Sequence, residues 1–121
     1  MFGERKYITK YTVRTYITNN HPFPISNLIV RDALPLAPYD NVKVVLRKPE
    51  GLAEARAGEK IRVAGNVNVE WSRKSRGSLS SVEGKYKWLV SLEGNKGCTL
   101  ETEWEIQSSS DSLWEEVADN N

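Results

Sequence analysis

The chain has one histidine, His21, and one cysteine, Cys98, the residue types from which a nucleophile–base pair or a soft-metal site is built. His21 precedes a proline in a turn-like run, and Cys98 opens an alternating stretch. Distance in sequence does not separate them, because such pairs are assembled in space. No third orienting residue or nucleophile motif accompanies them, so a structural role is expected for both. Two soft ligands fall short of the four that a structural zinc needs. Calcium wants carboxylates clustered in one loop, and Asp40-Asn41 is too sparse. The sequence holds no glycine-rich phosphate loop with its lysine. Glu101, Glu103 and Glu105 fall on one strand face, and paired carboxylates can hydrolyse glycosidic bonds. Set in a row on an outer face, they read instead as a solvated surface that discourages edge-to-edge aggregation. The expectation is a protein that is not an enzyme and uses no cofactor and no metal.

Binding chemistry falls to the aromatic and basic residues. The chain has 4 tryptophans in 121 residues, and exposed ones could stack on sugars or single-stranded nucleic acid. Trp71, Trp88 and Trp104 lie on predicted inward strand faces, where their large apolar area belongs in the core. Trp114 lies in the C-terminal tail, with Leu113 and Val117 close by in sequence. These three are candidates for docking on this domain or on a partner. Arg73, Lys74 and Arg76 form a short basic run that could meet an acidic partner. With no aromatics interleaved, the run gives no ground for nucleic-acid binding. No run of 18 apolar residues is present to span a membrane. Tyr16 and Tyr39 are the tyrosines to inspect for an exposed aromatic platform.

The elements that position these residues belong to one domain, as 121 residues imply. A chain of this length buries roughly two thirds of its unfolded surface and needs no disulfide or metal staple. The single cysteine fits a reducing compartment, and the opening MFGERKYITK has charge without an apolar signal core. A cytoplasmic location is expected. Net charge is +1, unevenly spread. Residues 1–100 carry 17 basic and 9 acidic side chains, whereas residues 101–121 carry 7 acidic and no basic ones. The simplest account is a basic body neutralised by its own C-terminal strand and tail.

The stretch Asn27 to Pro49 organises the rest. Leu28 and Val30 alternate before it crosses, and Val42, Val44 and Leu46 alternate after. Pro35 and Pro38 cannot donate to a ladder, so the middle leaves the sheet. That predicts a crossing between the layers of a β-sandwich. Residues 6–18 alternate over their whole length, with Tyr7, Thr9, Tyr11, Val13, Thr15 and Ile17 on the face expected to be buried. A second strand is expected near 25–31, with Ile25 and Ile29 on the face opposite Leu28. Residues 52–58 are too short for a stable helix and read as a loop. Residues 61–71 alternate around a turn or bulge at Gly65-Asn66. Residues 85–93 and 98–107 are expected to pair as a hairpin, with Gly97 at positive φ and Trp88 opposite Trp104. Residues 1–107 form the β-sandwich domain in this reading. Residues 108–121 form an acidic flexible tail or a short docked helix, Ser112 and Glu115 having capping-box spacing.

Several segments together resemble a known family. These are Val30-Arg31-Asp32 ahead of Leu34-Pro35, NVKVVLRKP, and GKYKWLVSLEGNKGCTLETEWEI. In this order they resemble the C-terminal domain of mucoidy-inhibitor-A-like proteins, a domain family of unknown function in bacteria and fungi. The likeness covers about residues 5–107. Family members are usually longer, with a coiled-coil-containing region ahead of this domain. The resemblance implies an all-β fold, an immunoglobulin/fibronectin-like antiparallel β-sandwich, and brings no catalytic residues.

Residues and resemblance lead to one expected function: a non-catalytic interaction or scaffolding module. It would bind a protein partner or a second copy of itself, through an exposed edge strand or the 72–84 loop. The alternative is a carbohydrate or small-ligand binding module, marked by two aromatics exposed on one face.

Overall fold

The computed structural model describes residues 6–37, 40–72 and 84–109. Wherever β-branched and aromatic residues alternate with period two, the chain is strand. The strands are β1 (Lys6–Thr18), β2 (Ile25–Ala33), β3 (Val42–Lys48), β4 (Ile61–Ala64), β5 (Val67–Trp71), β6 (Lys85–Leu92) and β7 (Gly97–Ser109). They form two antiparallel sheets, ordered β1-β7-β3 and β2-β6-β5-β4, packed as a sandwich. β2 and β3 lie in different sheets. The proline-bracketed segment between them is therefore a crossing between layers, as its composition predicts. Leu34 anchors it, buried, with its N–H donated to the Gly84 carbonyl at 2.8 Å.

The core forms where the inner faces meet. Tyr86, Trp88, Val90 and Leu92 of β6 face it, with Val67, Val69 and Trp71 of β5 and Leu100 of β7. Each such large side chain, fully buried, contributes roughly 1.5–3 kcal/mol of transfer free energy. Leu52, in the turns after β3, is fully buried and plugs one end. Its carbonyl accepts the Trp71 indole N–H at 2.7 Å, so that buried donor is satisfied. Residues 52–58 form turns, and Gly65-Asn66 is the β4–β5 turn.

Two expectations are corrected. β6 and β7 do not pair as a hairpin: β6 lies between β2 and β5, and β7 between β1 and β3. The short connection at Asn95–Lys96 crosses from one sheet to the other. Alternation on both strands is satisfied equally well face to face across the core as side by side within a sheet. Tyr86 thus meets Thr102, hydroxyl to hydroxyl at 2.8 Å, and Lys87 pairs with Glu70 at 3.4 Å, not with Glu105. Positive φ falls on Asn95 (58°) rather than on Gly97. Gly97 is needed for space, since a Cβ there would sit 2.7 Å from the Ile17 carbonyl oxygen. At Gly94 a Cβ would overlap the Pro22 carbonyl. The second correction is in β2. A bulge between Ile25 and Leu28, with Asn27 at φ 60°, shifts the strand's phase. Ile25 then joins Leu28 and Val30 on the inner face, and Ile29 alone points out, 45% exposed.

Candidate interaction surface

β1 runs the full length of β7, in an unbroken register from Lys6 opposite Ser109 to Thr18 opposite Gly97. Both strands have 13 residues, whereas the longest strand of the opposing sheet has 9. The predicted inward face of β1 is inward by register, since Tyr11 lies opposite Trp104 and Val13 opposite Thr102. It is nevertheless not buried. Only Thr15 and Ile17 are half-buried, while Tyr11 is 43% and Val13 41% exposed. On the outer face Ile8 and Tyr16 are exposed as well. Of the nine large hydrophobic residues exposed among the described residues, five lie on β1.

The inner face carries an aromatic contact. Tyr11 stacks on Trp104, ring centroids 5.6 Å apart and planes 16° from parallel. Trp104 is half-buried rather than core, and its Nε1 is buried without a hydrogen-bond partner among the described residues. The Asn41 amide nitrogen is in the same condition.

The outer face of the same sheet is a charge ladder with β7 at its centre. Glu101 accepts from Arg14 Nε at 2.8 Å and from Lys48 Nζ at 3.1 Å. Glu105 accepts from Arg47 at 3.0 Å and from Gln107 at 3.1 Å. Glu103 faces Lys10 at 3.9 Å and Thr12 at 3.5 Å. Hydrogen bonds from Arg14 and Lys48 hold the Glu101 carboxyl below its ordinary range, and those from Arg47 and Gln107 do the same for Glu105. The three glutamates thus neutralise basic side chains of both flanking strands, which accounts for part of the charge asymmetry along the chain.

The four strand edges differ. β3 loses register between Leu46 and Lys48 and runs into Pro49. β2 has its bulge, and β4 has 4 residues and its own irregularity. Bulges, proline and shortness are devices that block strand addition. β1 has none of them.

The remaining candidates are dispersed. His21 stacks on Phe23 at 4.7 Å in the turn after β1. Cys98 is half-buried on the inner face opposite Ile17, and burial pushes its thiol upward, away from the thiolate. No group of three metal-ligating side chains occurs among the described residues. Trp71 and Trp88 are core, as expected. Tyr16 is 74% exposed, on the outer face opposite Thr99. Arg73, Lys74, Arg76, Leu113, Trp114, Val117 and Tyr39 lie outside the described residues. Sequence reasoning missed the exposure of Tyr11 and Val13. The pattern held no signal for it, because alternation reads the same in an edge strand as in a central one. A cavity of about 370 Å³ lies at the crossing, lined by Leu34, Pro35, Leu36, Val44, Leu46 and Trp71, among others.

Fold and surface together define a class: a two-sheet β-sandwich with, among the described residues, one long regular edge strand. No family model, curated protein or solved structure matches the chain.

Proposed function

We propose that this protein is a non-catalytic interaction module that binds through the free edge of β1 by strand addition. One observation carries the reading: the single long, regular edge strand also holds five of the nine exposed large hydrophobics among the described residues. An added strand gains main-chain hydrogen bonds from the edge, and alternate side chains give it specificity. Tyr11 and Val13 would meet it on one face, Ile8 and Tyr16 on the other.

The likeness to the mucoidy-inhibitor-A-like C-terminal domain belongs with this proposal, as does the immunoglobulin/fibronectin-like assignment. The residues that carry the likeness have structural roles. Asp32 accepts the Ala33 N–H at 2.8 Å and the Tyr86 hydroxyl at 3.2 Å. Leu34 and Trp88 are buried. Sandwiches of that group share seven strands in two layers without always sharing strand order, and seven antiparallel strands in two sheets are what supports the assignment.

The test is selection of peptides from a random display library against the purified chain, followed by hydrogen exchange of the complexes. Binders are expected to be extended, with alternating apolar residues, and to protect amides within residues 6–18. Binders that protect only other elements sink the reading. A second reading, a small-ligand module, is favoured by the apolar cavity at the crossing, whose volume is within the usual ligand range of about 300–1,000 Å³. Chemical-shift changes confined to residues 34–37 and 42–46 in a small-molecule screen would support it over strand addition.

A further inference from the structure

We infer that the occupant of the β1 edge is a second copy of this chain, paired antiparallel about a twofold axis at Tyr11. The inference rests on the strand-addition reading and names its partner. A twofold axis perpendicular to the sheet keeps inner face beside inner face, so odd-numbered residues of β1 lie opposite odd-numbered residues of the other copy. Charge then selects the axis. Centred on Lys10 or Arg14, the pairing sets that residue opposite itself. Centred on Thr12, it sets Lys10 opposite Arg14 of the second copy, twice. Like charges directly opposite are destabilising. An axis at Val13 also avoids this and overlaps residues 8–18, but it sets each Tyr11 opposite Thr15 and each Lys10 opposite Tyr16, so the two Tyr11 rings do not meet.

An axis at Tyr11 keeps like charges apart and alone brings the two Tyr11 rings together. Residues 6–16 of the two copies overlap. Lys10 lies opposite Thr12, Thr9 opposite Val13, Ile8 opposite the stem of Arg14, and Lys6 opposite the Tyr16 ring. The two Tyr11 rings come side by side, each already stacked on its own Trp104, and form a row of four aromatics across the joint. Cross-strand aromatic pairs are among the favourable ones in sheets. The result is a continuous six-stranded sheet, β3-β7-β1 joined to its twofold copy. It closes the one edge that bulges, proline and shortness leave unguarded.

Sedimentation velocity of the full chain over a wide concentration range tests this, with Ile8→Lys/Tyr16→Lys as the variant. Both side chains are exposed, so the fold should persist, and circular dichroism checks that it does. The wild type is expected to be a dimer. The variant sets Lys against Arg14 and against Lys6, and should associate at least about tenfold more weakly. Register is read by oxidation in a Cys98→Ser background. Mixed Lys10→Cys and Thr12→Cys chains should cross-link as heterodimers, since directly opposite Cα atoms lie about 4.5–5.5 Å apart. Efficient cross-linking of Thr12→Cys with itself overturns the Tyr11 axis. A wild type monomeric at every concentration overturns the dimer. If that monomer still takes extended peptides on β1, strand addition stands and only self-pairing fails; if it takes none, both fail.

Discussion

Asn19 shows how much one side chain holds in this fold. It is 2% exposed at the end of β1. Its amide donates to the carbonyls of Phe23 at 2.8 Å, Glu93 at 3.1 Å and Leu92 at 3.4 Å, while its oxygen accepts the His21 N–H at 3.0 Å. One residue thereby ties the turn after β1 to the β6–β7 crossing. Asn19→Ala leaves buried backbone groups without partners, which costs about 1–3 kcal/mol. Urea denaturation should show a lower midpoint with an unchanged slope. Tyr86 links the sheets in another way, its hydroxyl donating to Asp32 and sharing a hydrogen bond with Thr102. Burial, with the nearby Asp32 charge, pushes its ionisation well above the ordinary tyrosine value. A folded pKa raised above the unfolded one contributes stability that is intact below about pH 10 and lost as pH rises beyond it. Tyr86→Phe should lower stability by about 1 kcal/mol at neutral pH and flatten the alkaline limb of the stability profile. An unchanged alkaline limb would show that Tyr86 is not the titrating group.

At the scale of elements, β7 is the axis of its sheet. One face gives Leu100 and Thr102 to the core, and the other holds the glutamate ladder between two basic strands. Glu101 and Glu105 have depressed folded pKa values. Their contribution is therefore present above the unfolded carboxylate value, about 4.3, and is lost as pH falls through the depressed values. Thermal melts of the wild type should lose midpoint below that pH more steeply than those of a Glu101→Gln/Glu105→Gln variant. Equal slopes would mean the ladder contributes nothing to acid stability. The β6–β7 connection shows where alternation stops being informative. Asn95-Lys96-Gly97 has the chemistry of a hairpin loop, and both flanking strands alternate cleanly. Pairing partners, however, are set by which edges remain free once β1, β2, β3 and β5 are in place.

For the whole molecule, the proposed pairing of β1 edges implies linkage between association and stability. A dimer that forms only from folded chains raises the melting temperature with protein concentration by mass action. The wild type should show this rise, and Ile8→Lys/Tyr16→Lys should show it only at concentrations at least about tenfold higher. Much of the architecture was legible in the chain itself. The alternating runs gave the strands, the Pro35 segment gave the crossing between layers, and Trp71 and Trp88 were placed in the core. These follow from local chemistry: a period of two, a missing N–H, a large apolar area. The candidate surface was not legible, because exposure is a relation between elements. Tyr11 and Val13 have the same pattern as buried residues, and it is the place of β1 at the edge of its sheet that leaves them exposed, while Thr102, beside Val13 on β7, is buried. Sheet partnership at β7, the bulge that turns Ile25 inward, and the choice of β1 as the unguarded edge were likewise decided by tertiary structure. Each depends on competition among strands far apart in sequence, which no local pattern encodes.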